Sequence, residues 1–308
     1  MTEQKSVRVK VPGTTANCGP GFDTIGIACN IYNELELTLK KDGPLVIEVT
    51  GEGAENIPCD GRNIVWRSIQ HLLRKAKLDY KGAYIKMDNQ VPLSRGLGSS
   101  ATAIVAGLMA ANEVIGRRFS RKDILCMATE IEGHPDNVAR AIFGGVTVSV
   151  VHNGRPESLS FLPQIKMDLV VAVPEFSLST KAARSVLPTE VSMKDAVFNV
   201  SRASLLTAAL CSGKKRFLQH AFEDALHQPY RASLIPGMYE VFAAARKAGA
   251  LGANLSGAGP CLIAYTLENS HCEEAVGEAM KRAFKEHEVD SRILIMDLDT
   301  RGAHILNH

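Results

Sequence analysis

The 308-residue sequence lacks the features that mark several classes of protein. Its 35 basic and 33 acidic residues leave a net charge of +2, so no excess of one sign indicates a nucleic-acid or anionic-membrane partner. No two of its seven cysteines have C-x-x-C spacing, and their odd number argues against a disulfide framework. We therefore expect a reducing cytoplasmic setting and a small-molecule partner.

Long apolar segments are also scarce. The chain begins with the alternating Val7, Val9 and Val11 rather than an apolar signal core, so we expect no export signal. The one long uncharged stretch, residues 96–112, opens with glycines and serines and is rich in alanine, which predicts a buried helix rather than a membrane span. The composition, 45% apolar and 22% charged, is typical of a globular protein.

Hydrophobic periodicity predicts a mixture of strands and helices. The first half predicts strands at residues 6–11, 34–39, 45–49, 83–87 and 145–152, and helices at 63–76, 99–115 and 120–132. The second half predicts strands at 168–173, 253–255, 261–266 and 292–296, and helices at 192–225, 238–248 and 272–286. This irregular order favours the α+β class over a doubly wound sheet. We expect one domain at residues 1–160, a second at 161–308, and a cleft between them.

The most informative segment is a glycine-rich turn that runs directly into an apolar helix. Gly96 and Gly98 permit positive φ and close approach of a ligand, and Ser99 or Ser100 can cap the helix. Free N–H groups and the positive end of the helix dipole then favour a bound phosphate. The segment comprises Pro92, Leu93, Ser94, Arg95, Gly96, Leu97, Gly98, Ser99, Ser100, Ala101 and Thr102.

Two common nucleotide-binding motifs do not fit this segment. A Walker A loop needs Gly-Lys-Ser/Thr, and no lysine follows Gly98. Ala101 would take the third glycine position of a Rossmann fingerprint, and Asp123, about 20 residues on, lies on a predicted helix rather than after a strand. An NAD-dependent dehydrogenase is therefore a weak alternative, and a helix start without any ligand is another.

Two further segments accompany this loop in a fixed order. The first reads Pro12-x-x-x-Ala16-Asn17-x-Gly19-Pro20-Gly21-Phe22-Asp23, and the last reads Asn254-Leu255-Ser256-Gly257-Ala258-Gly259-Pro260. Over essentially the whole chain this trio resembles the GHMP kinase superfamily. The first segment and the later Glu132-Gly133-His134-Pro135-Asp136-Asn137 are most similar to its homoserine kinases. The resemblance implies an N-terminal domain like domain 2 of ribosomal protein S5 and a ferredoxin-like C-terminal domain.

The resemblance also implies an activity. It implies a kinase that uses ATP and Mg²⁺ to phosphorylate the side-chain hydroxyl of L-homoserine to O-phospho-L-homoserine, a step toward threonine, and that forms a homodimer. Two alternatives stay open. One is another small-alcohol kinase of the superfamily, acting on shikimate or an isoprenoid precursor, and the other is a non-catalytic nucleotide-binding protein of the same fold.

Homoserine is a zwitterion, so its pocket needs a cation for the carboxylate and an acceptor for the ammonium. By resemblance Arg184 and Arg231 bind the carboxylate, and Thr180 shares a face with Arg184 if that segment is helical. Asp23 is the candidate acceptor for the ammonium, with Asn17 beside it. An Asx-turn that bonds its own backbone is the alternative for this pair.

Magnesium needs few protein oxygens, and by family position Ser100 and Glu130 supply them. Glu132, two residues on, is expected to face elsewhere on that helix. Asn63 either lines the adenine pocket or caps a helix. His134 is either close to the substrate or a cap at a helix end.

The candidate catalytic residues are Asn137, Asp23 and Arg184. Asn137 stands where mevalonate kinases and galactokinases carry an aspartate base, and Thr14 or Thr15 replaces their lysine. A neutral amide cannot accept the hydroxyl proton, so we expect catalysis by positioning and charge neutralisation. Asp136 or Asp23 acting as the base stays an alternative.

Overall fold

A computed structural model describes residues 6–306; residues 1–5, on which part of the export-signal expectation rests, and 307–308 lie outside the described residues. The strands between them are β1 (Ser6–Ala16), β2 (Ile25–Lys40), β3 (Leu45–Gly51), β4 (Gly82–Asn89), β5 (Val146–His152), β6 (Arg155–Phe161), β7 (Met167–Pro174), β8 (Gly252–Leu255), β9 (Leu262–Leu267), β10 (Ser291–Asp297) and β11 (His304–Leu306). The α-helices are α1 (Ile64–Lys75), α2 (Ser99–Val114), α3 (Arg121–Glu132), α4 (Asp136–Phe143), α5 (Thr180–Ser185), α6 (Met193–Ser212), α7 (Leu218–Ala221), α8 (Gln228–Arg231), α9 (Met238–Lys247) and α10 (Glu273–Glu286).

The first sheet is organised around the long strand β2. One stretch of β2 pairs with β1 and β4, and the sheet continues outward to β11 on one side and to β3 on the other. A register shift between Pro12 and Gly13 bends the β1–β2 ribbon. Beyond the bend, residues 25–27 pair with β5, which pairs in turn with β6. The bend brings the start of β2 into the core that it shares with β7.

The second sheet has the order β10-β7-β9-β8 and is antiparallel throughout. Its central strand β7 is buried on both faces. Leu169 and Val171 face the core shared with the first sheet, whereas Val170 and Ala172 face α9 and α10. Burial on both faces explains why β7 is a continuous apolar run in the sequence.

Helix α2 is the centre of the first layer of helices. It contacts β1 and β2 on one side and α1, α3 and α4 on others, so it is apolar nearly all round. Its residues Ile104, Val105 and Leu108 are buried, which confirms the predicted buried helix. Within residues 6–306, no helix combines the length and the apolar character needed to cross a membrane.

The α+β class is confirmed, and the Rossmann alternative is wrong because the first sheet is antiparallel except for the β3–β4 pair. The hairpin predicted around residues 256–260 forms, with Leu255 opposite Leu262. The helix predicted at 192–225 is wrong beyond Ser212, because Gly213 ends α6 in the left-handed conformation. The periodicity missed β6, α4, α5, α8 and β11. All seven cysteines are free.

Candidate active site

The glycine-rich loop joins β4 to α2 as the sequence predicts, but its cap differs. Gly98 occupies the N-cap position with φ of 72°, and no side chain caps the helix, so the expectation that Ser99 or Ser100 does so is wrong. A Cβ on Gly98 would lie 1.9 Å from the Thr14 hydroxyl oxygen, which explains why glycine is required there. The first N–H groups of α2 are therefore left without a side-chain acceptor.

The three motif segments meet at this loop. The Ser256 hydroxyl donates to the Gly96 carbonyl at 2.7 Å, and a Cβ on Gly96 would lie 2.1 Å from the Ser256 carbonyl oxygen. Asn17 Nδ2 donates to the Gly257 carbonyl at 2.9 Å. Segments that are far apart in sequence thus form one connected wall.

This wall lines a cleft of about 1320 Å³. Of the eleven predicted loop residues, those that line it are Pro92, Leu93, Ser94, Arg95, Gly96, Gly98, Ser99 and Ser100. The side chains of Leu97, Ala101 and Thr102 are fully buried and do not line the cleft, so contact of these side chains with a nucleotide is excluded; the Ala101 N–H still belongs to the uncapped first turn of α2. Leu97 and Ala101 pack in two different hydrophobic cores, and the Thr102 hydroxyl donates to the Ser99 carbonyl.

Asp23 and Arg184 face each other across the cleft. Arg184 donates from Nη1 and Nη2 to the two carboxylate oxygens at 3.0 and 2.9 Å. The hydrogen bond to Asp23 raises the pKa of Arg184 despite its partial burial. Thr180, the first residue of α5, also lines the cleft. The structure thus brings the predicted acceptor for the ammonium and one predicted carboxylate ligand into direct contact.

Arg231 is 2% exposed and lies deeper in the same wall. Its Nε and Nη1 donate to the carbonyls of Ala183 and Gly257, each at 3.0 Å. Among the described residues its Nη2 has no hydrogen-bond partner. Burial and the nearby charge of Arg184 lower the pKa of Arg231 to about 10. This wall therefore has cationic capacity that Asp23 alone does not neutralise.

His227 fixes Arg231 and was missed by sequence reasoning. Its Nε2 lies 2.8 Å from the Gly19 carbonyl, and its Nδ1 lies 3.2 Å from Arg231 Nη1. Burial lowers the pKa of His227, and a neutral ring that donates from Nε2 and accepts at Nδ1 satisfies both partners. The ring of Phe22 stacks on His227 at 5.1 Å. The spacing of His227 and Arg231, four residues apart around a short helix, was the signal available in the sequence.

Asn137 lies at the start of α4 and lines the cleft. Its Oδ1 accepts a hydrogen bond from the Thr14 hydroxyl at 2.8 Å and one from Arg140 Nη1 at 3.4 Å. Its Nδ2 donates to Asp136 Oδ1 at 3.4 Å. The two donors at Oδ1 fix the orientation of the amide, so the second N–H of Nδ2 is the group that remains for a ligand. Asn137 therefore presents a donor rather than an acceptor.

His134 and Asp136 form a short pair beside Asn137. His134 Nδ1 contacts Asp136 Oδ1, which also accepts from the Asn137 backbone N–H at 2.7 Å. Burial raises the pKa of Asp136, but the His134 hydrogen bond and the charge of Arg140 outweigh it and hold the value at about 2. The hydrogen bond to Asp136 raises the pKa of His134. His134 lines the cleft and does not cap a helix, since Gly133 ends α3.

The predicted pairing of Ser100 with Glu130 is not present. The Ser100 hydroxyl donates to Glu132 at 2.8 Å, and Glu132 lines the cleft. Glu130 instead contacts His71 and Lys75 of α1, at 2.9 and 3.0 Å. The expectation that Glu132 faces elsewhere is wrong, because α3 ends directly after it and its last turn lies beside the loop.

The amides of Asn17 and Asn63 are used by the backbone. Asn17 Oδ1 accepts from the Asp23 N–H, as an Asx-type contact does, while its Nδ2 binds Gly257. Asn63 Oδ1 accepts from the Val65 N–H and caps α1, and its Nδ2 donates to the Pro58 carbonyl. Asn63 is fully buried and does not line the cleft. The helix cap is therefore its correct interpretation, and its assignment to the adenine pocket is wrong.

Known families match this chain over both halves. The GHMP kinases N terminal domain matches residues 63–145, and the GHMP kinases C terminal domain matches residues 207–286. The chain is 45% identical to a homoserine kinase of Carboxydothermus hydrogenoformans, with 96% of each sequence covered. It is 44% identical to a homoserine kinase of Trichormus variabilis, over 98% of this chain and 100% of that one.

Solved structures of the same family have the fold of this chain. A homoserine kinase of Cytophaga hutchinsonii superposes with a TM-score of 0.90 at 30% identity, over 99% of both chains. Mevalonate kinase of L. major shares the fold, with a TM-score of 0.71 at 19% identity over 97% of both chains. The chain belongs to the homoserine kinase family of the GHMP kinases.

Proposed function

We propose that the protein transfers the γ-phosphoryl group of ATP to the side-chain hydroxyl of L-homoserine. The observation that carries this proposal is one cleft that is lined both by the uncapped start of α2 and by the Asp23–Arg184 pair. The first feature suits a phosphate, and the second suits a zwitterion. The family of the chain supports the same activity.

The start of α2 fits the phosphates of ATP. Its N–H groups have no side-chain cap, and Ser99 and Ser100 line the cleft at that point. Gly96 and Gly98 both have positive φ, which turns the backbone of the loop around this helix end. Arg95 donates to the carbonyls of Pro174 and Glu175 and so ties the loop to the end of β7.

Ser100 and Glu132 fit a magnesium ion. A hydroxyl and a carboxylate 2.8 Å apart are hard oxygen ligands that face the same cleft. Within residues 6–306 no group of three or more His, Cys, Asp or Glu side chains could hold a metal, and magnesium in kinases takes its remaining ligands from water and phosphate. When bound, the ion neutralises charge on the transferred phosphoryl group.

We propose that the substrate separates the Asp23–Arg184 pair. The ammonium binds Asp23, and the carboxylate binds Arg184 together with the unpartnered Nη2 of Arg231. Both side chains of the pair are 37% exposed, so their interaction with each other is weak and readily replaced. Thr180 and His134 lie along the same part of the cleft and complete the pocket.

Asn137 contributes to phosphoryl transfer by positioning the reacting oxygens and not by accepting a proton. Its Nδ2 donates toward the oxygens between which the phosphoryl group moves, and the hydroxyl proton leaves to a phosphate oxygen or to water. Asp136 is a poor base because its pKa is held at about 2. Asp23 is also a poor candidate, since its carboxylate binds the substrate ammonium in the proposed complex. A loose transition state needs positioning and charge more than a base.

We also propose that two copies associate. Met193, Val197 and Val200 form a stripe along α6 and are 61 to 78% exposed, and an exposed apolar stripe of this kind marks an interaction face. Light scattering on the purified protein should give the mass of a homodimer. The Val197→Glu variant should give a monomer, and a monomeric wild type would contradict the proposal.

A coupled assay of ADP release tests the activity itself. Purified protein with ATP and Mg²⁺ is offered L-homoserine, shikimate or mevalonate, and ³¹P NMR identifies the product. We expect turnover with homoserine and formation of its O-phosphate ester. Turnover with shikimate or mevalonate alone would favour another small-alcohol kinase, and ATP binding without transfer would favour a non-catalytic protein.

A further inference from the structure

Arg140 is a large cation buried next to the proposed reacting centre. Its side chain is 0% exposed, and it lies on α4 three residues after Asn137, on the same face of that helix. The guanidinium lies over Gly26 of β2, where a Cβ would be 2.1 Å from the Arg140 Cζ. Gly26 does not have positive φ, so the space taken by Arg140, and not the backbone, requires glycine there.

The burial of Arg140 is not compensated by hydrogen bonds. Its Nη1 reaches Asn137 Oδ1 at 3.4 Å, while Nε and Nη2 have no partner among the described residues. Burial lowers the pKa of Arg140, and the charge of Asp136 opposes that effect. A buried cation with two unpaired nitrogens destabilises a fold, so stability does not explain why this position carries arginine.

The contacts of Arg140 with residues at the cleft explain why this position carries arginine. Asn137 Oδ1 receives Nη1 of Arg140 and the hydroxyl of Thr14 from different directions. Asp136, one residue before Asn137, stays anionic partly because of the Arg140 charge. Arg140 thus contacts one side chain that lines the cleft and neutralises another, although it does not line the cleft itself.

We propose that Arg140 is a positioning residue for phosphoryl transfer, which holds the Asn137 amide with Nδ2 toward the cleft and acts through that amide. The proposal rests on the function proposed above. Because Arg140 is behind Asn137 and away from both substrate pockets, its removal lowers kcat and leaves substrate binding intact. A fall in kcat without a rise in KM indicates that an interaction made only in the transition state was lost, whereas a rise in KM alone indicates lost substrate binding.

A double-mutant cycle with Asn137 tests this role. In the Arg140→Met variant we expect kcat to fall about 10- to 100-fold, with KM for ATP and for homoserine within about 3-fold of wild type. Arg140→Lys, which keeps the charge, should recover part of kcat. In an Asn137→Ala background, Arg140→Met should change kcat by less than about 2-fold, since residues that act as a unit are not additive.

The matched control is Arg121→Met. Arg121 also supports α4, by donating to the carbonyl of Ile142, and it does not line the cleft. Its replacement should leave kcat unchanged. Thermal melting shows whether each variant folds, and if Arg140→Met does not, the same cycle is run with Arg140→Lys and Arg140→Gln.

Two results would overturn the proposal. One is an Arg140 variant whose kcat stays within about 2-fold of wild type, and the other is a loss that is equally large with and without the Asn137 amide. An inactive wild type would instead contradict the proposed function, so the two failures are distinguishable.

Discussion

Arg184 Nη1 and Nη2 donate to the two oxygens of Asp23 at 3.0 and 2.9 Å, a bidentate ion pair between residues 161 positions apart. The pair connects the turn after β1 with α5 and lines the cleft. Planar guanidinium and carboxylate groups match each other, and each equally matches one end of an amino acid. We therefore expect each of the two groups to exchange its partner for one end of a zwitterion.

Breaking this pair should weaken binding of one substrate only. Replacing Arg184 by methionine should raise KM for L-homoserine about 10- to 100-fold, because a charged hydrogen bond contributes about 1.5 to 3 kcal/mol. KM for ATP should stay within about 2-fold, and steady-state kinetics with each substrate varied measures both. Arg202→Met removes a comparable ion pair, with Glu223, outside the cleft and should change neither KM. An equal rise in both KM values for the Arg184 variant would contradict this assignment.

The two glutamates of α3 provide a matched pair of variants. Glu132→Gln should lower kcat at least about 100-fold and raise the Mg²⁺ concentration needed for half-maximal rate, since it removes a charged ligand beside Ser100. Glu130→Gln should leave kcat unchanged and cost less than about 1 kcal/mol of unfolding free energy, because its contacts with His71 and Lys75 are exposed. Magnesium titrations of the initial rate measure the first effect. If kcat fell only in the Glu130 variant, Glu130 would be the magnesium ligand, as expected from the sequence.

Asn137→Asp distinguishes a donor from a base at nearly constant shape. The new carboxylate keeps an oxygen for Thr14 and Arg140, but it places negative charge where we propose that an N–H group faces the phosphates. We expect kcat to fall about 100-fold or more at pH 7. Single-turnover measurements with bound ATP and homoserine give the chemical rate directly. A chemical rate equal to that of wild type would contradict this expectation and would indicate that residue 137 can act as a general base.

Asp168 should make stability depend on pH away from the active site. Burial, followed by hydrogen bonds with Asp297 and Glu273, raises the pKa of Asp168 to about 6, and Asp297 lies directly opposite on β10. A raised carboxyl pKa favours folding below its unfolded value of 3.8, and that contribution is lost as pH rises through about 6.

The Asp168→Asn variant should therefore melt about 2 °C higher than wild type at pH 8. The difference should shrink toward pH 4.5, and melting followed by circular dichroism across this range measures it. Asp42→Asn, on an exposed turn, is the control and should show no such trend. A difference in melting temperature that is equal at both ends of the range would contradict the assignment.

Local patterns in the sequence predicted most elements and the glycine-rich loop that leads into α2. Val7, Val9 and Val11 alternate because only one face of β1 is fully buried over residues 6–11, and Gly96 and Gly98 stand where positive φ is needed. Contacts between distant segments were not accessible in this way. Whether Glu130 or Glu132 faces Ser100 depends on how α3 lies against α1, which no spacing within α3 determines.

The site residues that the sequence did not predict also depend on contacts between distant segments. Gly26 and Arg140 fit each other across the β2–α4 contact, and His227 acquires its role only where the turn carrying Gly19 passes over it. Leu97, Ala101 and Thr102 lie within the motif, yet the pitch of the loop and helix turns their side chains into the core. Sequence gives the neighbours along the chain, and tertiary packing decides which of them reach the cleft.

The most direct measurement is kcat/KM for ATP-dependent phosphorylation of L-homoserine beside two truncated alcohols, 4-hydroxybutyrate without the ammonium and 3-amino-1-propanol without the carboxylate. The cleft predicts efficient turnover of homoserine and a loss of about 100-fold or more for each analogue, because each leaves Asp23 or the arginines unpaired. Equal turnover of all three alcohols, or none with homoserine, would contradict the account.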